Sequence, residues 1–213
     1  MSETNGCAVL NEQHMDVLRE LGSMGTAHAA TTLSNILEKK VTIADIVVSW
    51  VDFANVTDFI GGPNNIIASI LASLTGNIEG MVVHLLELDS AAIIASALLN
   101  EDTKNINLKN QMERSAITEF GNMMISSYLG ALAGLIGSRI TPSVPSLSID
   151  MANAILSVPV AEFGKMADQV LLIESKLELV VDEKAFSGCF LFAPNLQSLN
   201  KLVQALGVEQ NVC

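Results

Sequence analysis

Apolar residues recur at three- and four-residue intervals over two long stretches of the chain, and between these they alternate with polar residues or form short runs. The first pattern predicts amphipathic helices over about 12–38 and 108–138, with Gly137 as a plausible stop for the second. Extended segments over 41–52 and 140–150 follow the two helices, each leading into a short irregular or helical piece. Two hairpins come next. In "IIASILASLTGNIEGMVVHLLE", Ile66, Ala68 and Ile70 alternate with Ile67, Ser69 and Leu71, and the chain turns at Thr75-Gly76-Asn77. In "VLLIESKLELVVDEKAFSGCFLF", Leu172 and Val180 alternate with Glu174, Lys176 and Glu178, with a turn near Asp182-Glu183; the charges predict one wet face. Helices over 88–100 and 195–207 close the two patterns, and the polar stretch "NEDTKNIN" (100–107) joins them.

The same order of elements is thus written twice, and the residues repeat with it. A shift of 99 places Glu20 on Glu119, Gly22 on Gly121, Lys40 on Arg139 and Thr42 on Thr141. Further on, Gly80 falls on Gly188, and Leu88, Ser90, Ile94, Ala97 and Leu98 fall on Leu196, Ser198, Leu202, Ala205 and Leu206. Two units of this length predict an internal duplication with pseudo-twofold symmetry, where a solenoid would need more and shorter repeats. The expectation is one α+β domain over 1–213, with repeats at about 10–100 and 108–208. Its helix–strand–hairpin–helix units form a six-stranded, largely antiparallel sheet carrying two long helices on the surface. The hairpins exclude a doubly wound parallel sheet.

Composition narrows the function classes. Half of the 213 residues are apolar, enough for a sizeable core. The formal net charge is −12 and the 11 Lys and Arg residues are scattered singly, which argues against a nucleic-acid surface and against an electrostatic anchor on anionic lipid. Cys7, Cys189 and Cys213 have neither metal nor redox spacing, and the polar N-terminus lacks a signal pattern, so a reducing cytoplasm is expected. Phe59–Ile78 and Phe120–Ser138 are free of charge, but the first is broken by "GGPNN" and the second carries Asn122, Ser126, Ser127, Tyr128 and four glycines, so neither is expected to span a membrane. The Gly130-x-x-x-Gly134 pair in the second also occurs where soluble helices approach another backbone.

Projection of the second long helix at about 100° per residue divides it sharply. Ile117, Phe120, Met124, Tyr128, Ala131 and Leu135 fall on one side; Ser115, Glu119, Asn122 and Ser126 gather on the other. An acid and an amide on an outer helix face are ordinarily just solvated. Here Met123 and Ile125 edge the polar strip with apolar groups, as a docking surface would. No nucleophile–base pair is discernible. His14, His28 and His84 lack ligand spacing, with His28 expected in the core; "FIGGPNN" lacks the Lys-Ser/Thr of a phosphate loop; the nine methionines read as core filler.

The longer pattern is more specific. Ser115, Glu119 four residues on, Asn122 three further and Pro145 after 22 intervening residues resemble the signature of the CheC/CheX/FliY phosphatases of chemotaxis. With the repeat, the resemblance covers about residues 10–208. The first unit departs from it: Asp16 and Glu20 are in place, but Ser23 stands where the amide belongs and Ile46 where the proline belongs. The resemblance therefore implies one complete site, in the second unit, and a degenerate first site that is inactive or nearly so.

The activity the resemblance implies is hydrolysis of the aspartyl-phosphate of a response regulator such as CheY, with Mg²⁺ held by that substrate and no cofactor or metal of the chain's own. Asn122 would orient the attacking water, Glu119 would fix the helix on the regulator's active-site lysine, and Ser115 would be a minor contact. Pro145 reads as structural, presetting the chain at an edge strand. The alternative is a non-catalytic adaptor, because relatives bind the receptor deamidase CheD and flagellar switch proteins share the fold without the hydrolytic residues.

Overall fold

The computed structural model describes residues 11–163, 169–179 and 184–205. Helix α1 (Glu12–Leu37) starts at Asn11, whose side chain accepts from the His14 amide while the His14 ring accepts from the Asn11 amide, each at 3.0 Å. This reciprocal cap satisfies two amides that the first helical turn would otherwise leave unpaired. Strand β1 (Val41–Asp52), a 3₁₀ segment (Phe53–Ile60), β2 (Ile66–Gly76), β3 (Gly80–Glu87) and α2 (Leu88–Leu99) complete the first half. The second contains α3 (Gln111–Ile136), β4 (Ile140–Pro142), β5 (Ser146–Met151), α4 (Ala152–Phe163), β6 (Gln169–Leu179), β7 (Lys184–Pro194) and α5 (Leu196–Ala205).

The α+β class holds, with seven strands in place of the expected six. The extended segment 140–150 is cut into β4 and β5 because Pro145 has no amide hydrogen for the ladder. Between the two pieces the chain bulges out, leaving Val144 90% exposed. Helix α3 begins three residues later than its periodicity suggests, because Asn110 caps it, accepting from the Glu113 amide at 2.8 Å, and Leu108 before it is left-handed at φ +58°. It ends as expected at left-handed Gly137. Strand β2 runs through Gly76, so the first hairpin turns at 77–79 rather than at Thr75-Gly76-Asn77. The Asp182-Glu183 turn lies outside the described residues.

Strand order is β1-β6-β7-β3-β2-β4, with β5 also on β2, and every pair is antiparallel. The first strand of each half joins the hairpin of the other half: β1 pairs with β6 from Val41↔Leu179 to Asp52↔Gln169, and β5 pairs with β2 from Ile66↔Met151 to Leu71↔Ser146. Strands β3 and β7 meet in the middle. One sheet face is covered by α1, α2 and α3 over the larger core, including Leu18, Leu33, Ile70, Ile117, Phe120 and Tyr128. The 3₁₀ segment and α4 cover part of the other face over a smaller core around Val56, Ile67, Val83, Ile155 and Leu172. Where that cover stops, Glu174 is half-buried and Lys176 and Glu178 are exposed, which is the wet face the alternation predicts.

Two glycines set how closely the long helices lie on the sheet. A Cβ on Gly22 would come within 2.6 Å of Val48, and one on Gly121 within 2.5 Å of Ile70. A third, Gly25, lets α1 cross α3 against the Tyr128 ring, where a Cβ would stand 2.3 Å from Cδ1. At that crossing Thr26 donates to the Gly22 carbonyl at 2.8 Å, so the Tyr128 hydroxyl is the donor in the buried 2.8 Å bond to Thr26. Gly130 and Gly134 do not act as a close-approach pair, since nothing lies within 4 Å of either Cβ position.

Candidate functional site

Helix α3 turns Ile117, Phe120, Met124 and Tyr128 into the larger core and leaves Ser115 and Glu119 exposed and Asn122 half-buried on its outer side. Residues three and four apart on a helix are neighbours, about 5–6 Å between Cβ atoms, so the carboxylate and the carboxamide stand side by side. Among the described residues neither Ser115, Glu119 nor Asn122 makes a side-chain hydrogen bond or ion pair. All three are available to a partner. The projection misplaces three other groups. Leu135 is exposed, and Ala131 is only half-buried although it still packs against the core. Ile125 is buried in the core, so Met123 alone flanks Asn122 with an apolar group.

Pro145 enters this site through the sheet. Gly121 presses on Ile70, Ile70 pairs with Leu147 on β5, and Leu147 follows Pro145 by two residues. The Arg114 guanidinium donates to the Leu147 carbonyl at 3.5 Å, a long contact that ties the start of α3 to the same strand. The broken edge strand thus supports the helix beneath Asn122, and the proline is not a partner of either polar side chain.

The corresponding positions on α1 share the seating and differ in equipment. Gly22 lies on Val48, which pairs with Ile173 of the other half, and Ile46 precedes Val48 by two residues. Asp16 and Glu20 are exposed, but Asp16 is paired with Arg19 at 2.6 Å and the Ser23 hydroxyl donates to the Arg19 carbonyl at 2.9 Å. One acid is therefore occupied, and the only group at the amide position is folded back on its own helix. His28 on this helix is exposed rather than in the core.

Among the described residues the remaining titratable groups offer no second catalytic centre. His84 is fully buried against Phe120, ring centroids 5.5 Å apart; among the described residues neither ring nitrogen has a hydrogen-bond partner, and burial pushes its pKa down to about 3. Burial, with Glu174 and Glu87 nearby, pushes the Cys189 thiol up to about 12, which leaves it unreactive. Among the described residues no group of three or more His, Cys, Asp or Glu could hold a metal ion, and no helix is long and apolar enough to cross a membrane. Sequence reasoning missed Arg114, which periodicity leaves on the flank of α3 and only the position of β5 brings into play.

The chain has relatives among known proteins. The CheC-like family model matches residues 14–44 and 112–149, which hold most of both long helices, the start of β1, all of β4 and most of β5. The CheY-P phosphatase CheC of Bacillus subtilis is 28% identical over 212 residues, covering 98% of this chain and 100% of that protein. The flagellar motor switch phosphatase FliY of the same organism is 26% identical over 66% of this chain, which spans 36% of that longer protein. Among solved structures, Thermotoga maritima FliY has the same fold, with a TM-score of 0.71 at 22% identity over 93% of this chain and 98% of that one. In its paired helix–strand segments and along its full length, the chain is similar to CheC and to the CheC-like family.

Proposed function

We propose that this protein is a chemotaxis phosphatase that hydrolyses the aspartyl-phosphate of a CheY-type response regulator in the cytoplasm. The observation that carries this reading is the outward, unpartnered carboxamide of Asn122 beside Glu119, on a helix held rigidly against the sheet. The naming of the B. subtilis relatives as CheY-P and motor switch phosphatases supports it.

The chemistry asks little covalent help from the enzyme. Water attacks phosphorus in line, the bond from phosphorus to the aspartyl oxygen breaks, the regulator's carboxylate is regenerated, and inorganic phosphate leaves with the water's oxygen and one of its protons while the other passes to solvent. Mg²⁺ belongs to the regulator and carries phosphoryl charge there. Asn122 enters the phosphorylation pocket, its amide oxygen accepting from the water and its nitrogen donating, without a charge that would repel the phosphoryl oxygens. Glu119 pairs with a lysine of that pocket and fixes the register of the helix; as a general base a solvated glutamate is a weak choice. Ser115 is a peripheral contact and Pro145 shapes the strand that supports the helix.

The test is phosphate release from phosphorylated, Mg²⁺-bound CheY. Wild type is expected to accelerate decay, and Asn122→Ala to lose about 100-fold or more of that acceleration. Decay equal to that of CheY alone with both proteins would end the catalytic reading. The degraded face of α1 favours a second role beside it, as an adaptor for CheD or a flagellar switch component, which a pull-down with purified CheD tests directly.

A further inference from the structure

An open cleft of about 490 Å³ adjoins the start of the catalytic helix, between α2, the 106–109 linker, α3 and β5. Its apolar lining comes from Leu88, Ala92, Ile106, Leu108 and Ile149, and Lys109 and Arg114 stand on it opposite a single acid, Asp89. In a chain of net charge −12 this is a local reversal of sign. Among the described residues neither cation forms an ion pair; Arg114 has only its long bond to the Leu147 carbonyl and keeps most of its donors free.

The cleft is preorganised. Ile106 and Leu108 are buried, the Asn107 side chain accepts from the Lys109 amide at 3.0 Å, and the Glu113 carboxylate accepts from the Asn107 amide at 3.2 Å. Buried Glu113 is also bonded to Asn110, so its carboxylate is committed to the linker and the helix cap and forms no ion pair with either cation. The cleft lies at the start of the helix that carries the proposed site: eight helical residues, about 12 Å of rise and about 80° of rotation, separate Arg114 from Asn122. A globular partner whose phosphoryl group reaches Asn122 covers that distance.

We infer that this cleft is the second contact surface for the phosphorylated regulator, receiving a segment that presents a carboxylate beside an apolar side chain. The inference rests on the phosphatase reading and extends it. Lys109 and Arg114 draw in an acidic partner that the rest of this acidic surface repels, and the apolar wall gives the segment somewhere to bury. Arg114 is thus a positioning residue: it sets where the regulator sits on α3 and takes no part in moving protons or phosphate.

The experiment measures the Kd of CheY loaded with Mg²⁺ and beryllofluoride, a stable mimic of the phosphorylated form, for wild type, K109Q/R114Q and R114K. Wild-type binding is expected to weaken about tenfold between low and high salt, as screening of local charge pairs requires. The double variant is expected to bind about tenfold more weakly at low salt and to lose most of that salt dependence, with the loss appearing in KM rather than kcat. R114K, which keeps the charge, retains the salt dependence; a purely structural role through Leu147 would not track charge in this way. A folded double variant with wild-type Kd and wild-type salt dependence overturns the cleft while leaving hydrolysis at Asn122 intact. If wild type neither binds the loaded regulator nor hydrolyses phosphorylated CheY, the phosphatase reading fails and the cleft proposal falls with it.

Discussion

On α3, Ser115 and Glu119 are exposed and Asn122 is half-buried, none with a side-chain partner among the described residues, while 99 residues earlier on α1 the matching acid is paired with Arg19 and Ser23 is bonded back to its own helix. The two helices are seated alike, each by a glycine over a strand pair built from both halves of the sheet. The difference shows that the fold does not need the polar residues: a helix in the same setting tolerates their replacement. Such tolerance makes an intact acid–amide pair on the other helix informative, since packing cannot account for it. The same seating also explains why the glycine is present on both helices and the asparagine on only one.

The largest expected effect tests whether the amide alone separates the two faces. In an Asn122→Ala background, which removes about 100-fold or more of the acceleration, Ser23→Asn is expected to restore little activity because Arg19 still occupies the face. Adding Arg19→Thr, matching Thr118 on α3, is expected to release Asp16 and raise phosphate release from CheY measurably above the single rescue. Equal rates for the two rescue variants would show that the Asp16–Arg19 pair is irrelevant to the difference.

A second effect concerns what lies beneath each helix. His84 packs under Phe120, whereas the position matched to it by the repeat holds Phe192. Burial keeps His84 neutral down to about pH 3, but the unfolded chain takes up that proton near pH 6.5. Stability is therefore undiminished by this group above pH 6.5 and declines as pH falls toward 3, by up to about 1.4 kcal/mol per pH unit. Urea unfolding from pH 7 to pH 4 should show His84→Phe losing less stability on acidification than wild type. Parallel declines would remove His84 as the source.

Smaller effects probe the seating. Gly121→Ala is expected to cost about 1–3 kcal/mol, because its Cβ meets three Ile70 atoms, including Cβ, within 2.6 Å. Gly22→Ala should cost less, since its one severe contact is a methyl of Val48. Gly130→Ala, in open space within α3, should stabilise by about 0.5–1 kcal/mol. Midpoints of urea denaturation rank the three, and Gly22→Ala costing more than Gly121→Ala would break the expected order.

The periodicity in the sequence was sufficient to locate the long helices, both hairpins and the antiparallel class, because those depend on local alternation and on caps such as Asn11, Asn110 and Gly137. It failed where tertiary context decides. Ile125 and Leu135 trade places relative to the projection because α3 meets neighbours unevenly along its length, and His28 is exposed although His14 and His84 are buried. The split at Pro145 was open to inference from a missing amide hydrogen, yet the extended pattern on either side concealed it. The polar strip of α3 was visible in the sequence; the cationic cleft was not, since Leu88, Lys109, Arg114 and Ile149 come from four segments whose proximity only the sheet establishes.

The pairing of β1 with β6 and of β5 with β2 means that each half of the chain supplies a strand the other half lacks. A chain cut within 100–107 would yield two fragments, each with an unfilled sheet edge and its long helix deprived of part of its bed. Neither should fold alone, yet mixing them should reconstitute the whole by fragment complementation, as two interlocked partners freed from their tether.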